Sequence, residues 1–422
     1  AKRELSGNIS GSASYIATRA FDNFSGITGA TFPFATSIGM SAFYSCKDLT
    51  AVDFSSVTEI GSYAFYYCYR LTSVSFPAAN HIRFNAFYGC SGLTSVSFPA
   101  VIDIGLNAFI SCSNLTTVDF PSATSIGSSA FYSCKSLTTA NFPAAINIGP
   151  NAFYACRGLA SAIFPSALDI GNSAFGACNN LTTADFPAAI SIGISAFTTC
   201  SGLTSISFPS AVNIGAYAFT SCYNLSIASF PSAMTIGSNA FYNCSSLTTA
   251  DFPAATSIGN YAFANCSNLT TVSFPSAITI WSNAFSKCSN LTSVDFPIVK
   301  SIADGAFANC YNLTTADFPA ATSLGSFAFS DCSNLTSVSF PSLSSVFSSA
   351  FYSCSNLTAV SFPATTHLGA AAFNYCRGLI SVDFPVTTVI GSNAFCSCYS
   401  LTTVSFPSAT SIGQYAFSHC IN

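Results

Sequence analysis

Nineteen cysteines, seven regularly placed aspartates and eight Asn-Leu-Ser/Thr triplets are the residues of this chain that could do chemistry, and they recur on one spacing. Cysteine stands at every 22nd residue from Cys46 to Cys420, with Cys396 alone outside the register. Such a column could be bridged from repeat to repeat, because Cα atoms about 5 Å apart lie within disulfide reach. Or each thiol could be a small buried hydrophobe packed behind the Phe three residues before it. The fixed place after Ala-Phe favours packing. Zinc is excluded, since no Cys or His partner stands at ligand spacing and Cys396 and Cys398 are one residue too close. Cys396 replaces a Tyr or a small residue and is expected to be the more exposed, most reactive thiol.

Asp53, Asp119, Asp185, Asp251, Asp317 and Asp383 are spaced by 66 residues, three repeats, and Asp295 adds a seventh. They read as an acidic track for a cation or a basic partner, or as the trace of a duplicated three-repeat block. Carboxylates three strands apart are about 14 Å from one another, too far to share a calcium ion. Only Asp295 and Asp317 are neighbours. The triplets place candidate N-glycosylation at Asn114, Asn180, Asn224, Asn268, Asn290, Asn312, Asn334 and Asn356. Asn-Cys-Ser adds Asn243 and Asn265, and Asn8 and Asn23 lie near the start. The same triplets arise without glycans if a turn favours Asn and the strand after it favours Thr. Glycine at the same place, as at Gly92 and Gly158, supports that origin. His81, His367 and His419 have no nucleophile or carboxylate at triad-like spacing. No phosphate-binding Gly motif occurs. The chain reads as non-enzymatic, with no cofactor and no metal.

The element that positions all of these is a 22-residue unit, L-T-[ST]-V-[SD]-F-P-S-A-x-S-I-G-S-N-A-F-Y-x-C-S-[NG]. Two Phe columns share its register: a Phe-Pro column from Phe32 to Phe406 and an Ala-Phe column from Phe43 to Phe417. L-T-S-V-S-F alternates as a short strand with Val and Phe inward. Pro ends it, having no N–H for a ladder. Ile-Gly lies on a second extended piece, and A-F-x-x-C is expected to turn the chain through a helical or 3₁₀ turn. Asn and Gly before the Leu suggest a left-handed residue there. One unit cannot close a core. Stacked units bury Leu, Val, Phe, Ala, Ile, Ala, Phe and Cys as parallel columns. The expected fold is a β-rich solenoid of about 18 coils, a rod or shallow arc on the order of 85 Å long. Its parallel sheet forms the concave face, short strands and turns form the convex face, and there is little helix.

These residues resemble the BspA-like leucine-rich repeats, with their L-x-x-V-x-hydrophobic-P strand, S-I-G and A-F-x-x-C. The resemblance covers about residues 12 to 422. It implies an extracellular or cell-surface protein, adhesive rather than catalytic. The commoner unit of that family is a residue longer and poorer in Phe.

Composition agrees with a packed repeat. Charged residues are 6% of the chain, against roughly 25% in ordinary domains. With 42 Phe the chain has ample surface to bury, so disorder is excluded. The 11 basic residues form no patch, which excludes nucleic acid. No apolar run approaches the roughly 18 residues of a membrane span. Ala1 opens the chain without a signal peptide, as in a processed form or a fragment.

Residues 1–29 are a degenerate repeat and candidate cap, in which Ile16 and Phe21 keep register and Phe24 replaces Cys. Residues 30–422 are a continuous array without a C-terminal cap, ending on a coil expected to expose Phe406, Ile412 and Phe417. Three readings follow: end-to-end association of copies into filaments, a surface adhesin or receptor ectodomain binding a host or cell-surface protein or glycan on the concave face, and an enzyme scaffold, for which no residues speak. Outward Ser and Thr are also candidate O-glycosylation sites, and a single Thr column lacks the flat lattice that ice binding needs. Arg83, Trp281, Ala303 and Phe347 replace the Gly of Ile-Gly. The bulky ones are candidate lateral contacts or local repacking against the next coil.

Overall fold

In the computed structural model, which describes residues 6–421, every coil carries a longer strand, of four and five residues in the first two coils and three in the rest, and a two-residue strand, with turns between them. The chain divides into two compact units, Ala1–Phe208 and Pro209–Asn422. Within each, every strand pairs in parallel with its equivalent one coil away, as Thr117–Asp119 does with Ser95–Ser97. Seven of the expected columns form the core; the eighth, the central strand Val, is only half-buried in several coils, as at Val52, Val118 and Val294. Leu115, Phe120, Ala123, Ile126, Ala130, Phe131 and Cys134 are all buried, and the same places recur buried in the other interior coils.

The aromatic columns explain the length of the unit. Ala-Phe rings stack nearly parallel, with centroids 5.1 Å apart for Phe87 and Phe109 and 5.2 Å for Phe219 and Phe241. Phe-Pro rings stack beside them and meet them edge-on, as Phe109 meets Phe120 at 5.9 Å and 68°. Edge-to-face and offset stacks are the favoured arrangements of such rings. A one-residue insertion would move both columns out of line at once.

The A-F-x-x-C segment is not helical; no helix occurs among the described residues. Two residues per coil, four apart, adopt left-handed φ, as Asn107 (58°) and Ser111 (58°) do. Backbone N–H groups then alternate. Asn107, Phe109 and Ser111 donate to Ser128, Ala130 and Tyr132 of the next coil at 2.9, 2.7 and 2.8 Å. Ala108, Ile110 and Cys112 donate back three residues within their own coil at 3.2, 3.3 and 3.2 Å. A 3₁₀ turn would direct every N–H inward and leave this side of the stack unladdered.

The Asn or Gly before the Leu, expected to be left-handed, is not. Glycine there serves close approach instead. A Cβ on Gly158 would stand 2.6 Å from the carbonyl oxygen of Lys135. Its N–H reaches that oxygen at 2.9 Å, whereas Asn268 reaches its equivalent, Ser245, at 3.2 Å. At the first coil, Gly7–Ser10 pairs in parallel with Ile27–Thr31 through one bulge, so these residues supply a strand. Leu5 and the rest of residues 1–5, like Asn422, lie outside the described residues.

Candidate functional site

The strand face carries the acidic track. Asp53, Asp119, Asp185, Asp251, Asp295, Asp317 and Asp383 are all exposed at the ends of three-residue strands. Ser97 donates to Asp119 Oδ2 at 2.8 Å and Ser273 to Asp295 Oδ2 at 3.1 Å, so two carboxylates are engaged by the preceding coil. Asp251 and Asp295 flank a shallow depression of about 360 Å³ floored by Ala250 and Val272. Among the described residues no group of three His, Cys, Asp or Glu is placed to hold a metal ion.

This face is built in segments. In the first unit the long strands form three sheets of three, ending at Asp53, Asp119 and Asp185. In this unit the three-coil period of the aspartates is therefore also the period of the sheet; in the second unit the sheets have five, two and three strands, and Asp251 and Asp383 lie inside them. Asp is a poor strand residue. The Phe-Pro step is 6.1 Å from Phe54 to Phe76 and 5.8 Å from Phe120 to Phe142, where sheets end, and 5.9 Å from Phe32 to Phe54 inside the first sheet.

The Thr column is bonded rather than presented. Thr116 Oγ1 donates to the carbonyl of Thr94 at 2.9 Å, and Thr292 Oγ1 to that of Thr270 at 3.1 Å. These are the hydroxyls of the Asn114 and Asn290 triplets. The eight Asn-Leu-Ser/Thr acceptors are all exposed, whereas Asn243 and Asn265 are half-buried. Five of the eight form a ladder that starts at Asn268, in which Asn290, Asn312, Asn334 and Asn356 each donate Nδ2 to the Oδ1 of the Asn one coil before, at 3.1 to 3.4 Å.

The cysteines are free thiols. Cys112 Sγ donates to the Phe87 carbonyl at 3.2 Å, and that oxygen also accepts from Cys90 N–H. The thiol thus fills the second lone pair of a buried carbonyl, a role for a small weak donor. Burial pushes these thiols up from 9.0, to about 11 at Cys46 and about 12 at Cys288, and well above the ordinary value at Cys112, Cys134 and Cys156. Such thiols stay protonated and unreactive at neutral pH. Cys396 and Cys420 are the two that are not fully buried.

The departures from Ile-Gly lie on the outside. Trp281 is 48% exposed and donates Nε1 to Ser257 Oγ at 3.0 Å; Phe347 is 51% exposed. Arg83 pairs with Glu59 at 2.7 Å. Beside this pair, His81 Nδ1 meets Asp103 Oδ2 at 3.3 Å, a carboxylate contact that spacing along one repeat does not reveal. Glu59, His81 and Asp103 are 22 residues apart, and that step was the signal that they would stack.

At the ends, Ile16 is buried and Phe21 half-buried, stacked on Phe43 at 5.0 Å. In the last described coil Phe406 and Phe417 are half-buried, while Ile412 is 61% exposed and Val404 50%. Among the described residues no helix is long and apolar enough to cross a membrane.

Stacked 22-residue coils with a parallel strand ladder define a leucine-rich repeat solenoid. The BspA type leucine-rich repeat region matches residues 6–100, 80–204, 190–314 and 300–422, and the chain belongs to that family. Family and fold are those of repeat proteins, not of enzymes. No curated protein matches the chain. Similar solved structures include a leucine-rich repeat protein from Bacteroides ovatus, 22% identical over 90% of this chain and 87% of that one, with a TM-score of 0.47. A leucine rich cell surface protein from Faecalibacterium prausnitzii is 20% identical over 80% and 88%, with a TM-score of 0.40. The pneumococcal vaccine antigen PcpA is 15% identical over 82% and 85%, with a TM-score of 0.40.

Proposed function

We propose that the chain is a non-enzymatic repeat protein of the cell surface or the secreted space, with a structural and adhesive role. The observation that carries this reading is the uniformity of the strand face. Exposed Ser, Thr, Asp and Asn flank the central strand residue in coil after coil. A surface of many equal, weak contacts holds a protein or glycan partner through their number.

Removing a three-coil block, residues 106–171, keeps the repeat in register. Retention of bead-coupled protein on a mucin-coated surface under flow should then fall further than with Asp119→Asn. Equal or greater loss from the single substitution would overturn the reading. Release of its peptides by brief protease treatment of intact cells tests the location.

A second reading, head-to-tail association, is favoured by Ile412, 61% exposed although its column is buried in interior coils. With the half-buried Phe406 and Phe417 it offers a stacking surface for one more coil. Where a second copy supplies it through Ile16 and Phe21, the contact repeats into a filament. Electron microscopy of the isolated protein should show filaments that Phe417→Asp shortens; discrete particles at every concentration would sink this reading.

A further inference from the structure

We propose that the turn face of the first three coils holds a binding site for a neutral saccharide. The site lies away from the strand face and does not depend on the adhesive reading.

An open recess of about 400 Å³ lies here, within the range of small-ligand sites. It exists because a short side chain stands between two long ones. Arg19, Ser41 and Tyr63 hold the same left-handed turn position in successive coils, with φ of 57°, 54° and 60°. Ser41 is 9% exposed and forms the floor. Arg19 and Tyr63 are thus two coil steps apart, about 10 Å at roughly 4.8 Å per strand, a gap that admits one pyranose ring.

The neighbouring row supplies the complementary groups. Asp22, Tyr44 and Tyr66 also hold one position in successive coils. Tyr44 stacks on Tyr66 at 4.9 Å and 6°. The next residue in its row on the other side is Asp22, not a ring, so that face of Tyr44 is uncovered by an aromatic partner. Tyr63 is held by Phe84, edge-on at 5.1 Å, and by Tyr66 at 5.5 Å. Met40, 51% exposed, adds an apolar wall.

On the polar side, Asn23 Nδ2 donates to Asp22 Oδ1 at 2.7 Å, and Arg19 Nε lies 3.8 Å from Asp22 Oδ2. A carboxylate, a guanidinium and an amide therefore share one edge, with their charges offset. No other coil carries a charged residue at either of these two turn positions.

The chemistry selects the ligand. A phosphate would meet Asp22 and a cation would meet Arg19. A sugar presents an apolar ring face to Tyr44 and Tyr63, while its vicinal hydroxyls donate to the carboxylate and accept from the guanidinium.

The test is titration of the whole chain with the methyl glycosides of glucose, galactose, mannose and N-acetylglucosamine and their linear trisaccharides. Saturation-transfer NMR detects binding and calorimetry measures it. At least one should bind, the trisaccharide more tightly than the monosaccharide. Tyr63→Ser, which installs the residue already found at position 41, should weaken binding about tenfold. Asp22→Asn should act similarly. Ser41→Tyr fills the recess with a side chain the fold accepts one coil later, and should abolish binding. Tyr242→Ser, on the second unit, should change nothing. No binding to any of these sugars at tens of millimolar, or unchanged affinity in both Tyr63→Ser and Ser41→Tyr with the fold intact by circular dichroism, overturns the proposal.

Discussion

The turn side and the strand side of each coil hold the stack differently. Along the turn side of the first unit, Ala-Phe rings keep a step of 5.1 Å from Phe65 to Phe87 and 5.2 Å from Phe153 to Phe175. Every second N–H there reaches the next coil. Along its strand side the Phe-Pro step ranges from 5.2 Å, between Phe98 and Phe120, to 6.1 Å, between Phe54 and Phe76, and in this unit the sheet stops and restarts every three coils. The side that looks least like regular secondary structure is the more uniform. Its left-handed residues cost about 1–2 kcal/mol each. They place three inter-coil hydrogen bonds per coil beside a close ring stack, and buried N–H groups must find partners. The strand side, with only three residues in most strands, tolerates gaps in its ladder while its outward residues stay mostly short and polar.

Alkali should produce the largest effect, on the turn side where the thiols are. The sign follows from burial. Folded thiols bind protons up to about 12 at Cys288, against 9.0 ordinarily. Between those values the unfolded chain has lost protons that the folded chain keeps, so stability falls as pH rises, by about 1.4 kcal/mol per thiol per pH unit. Melting followed by circular dichroism should be flat up to the ordinary thiol value and drop steeply above it; a flat curve beyond it would show that the column does not matter.

Next come single rings. Phe131→Ala should cost about 3–5 kcal/mol in denaturant unfolding, and Phe120→Ala, beside a sheet break that can collapse, the lower end of that range. A greater loss at Phe120 would break the comparison. Thr116→Val removes the bond to Thr94 and should cost about 1 kcal/mol in the same measurement.

Glycine should act with opposite signs on the two sides. Ala155, at φ 57°, gains from Ala155→Gly by up to about 1 kcal/mol, while Ala162→Gly in a strand loses a similar amount. The smallest effect on stability is thiol labelling. Iodoacetamide under native conditions, read by mass spectrometry, should modify Cys396 and Cys420 and spare the column.

Much of this was legible in one unit of sequence. The core columns, the turn at Phe-Pro and the packing role of cysteine follow from which residues never change place. The left-handed positions were not legible. They hold Asn, Ser, Ala, Tyr and Arg in different coils, because inter-coil bonds override local preference there, whereas the tidy Asn/Gly position before Leu has an ordinary backbone. The recess was half legible: Arg19 and Asp22 are the only charges in their rows, but a gap depends on Ser41 having two long neighbours from other coils.

The sequence by itself determined the coil, its register and its core, because a 22-residue period without insertion allows only one stacking of two Phe columns. Tertiary structure decided what the repeated polar groups do. Whether a Thr hydroxyl faces a ligand or the carbonyl one coil back, whether an Asn stands alone or in a ladder, and where the sheet opens all depend on contacts between residues 22 apart. A hydrogen bond is directional and short, and composition along one coil does not contain that geometry.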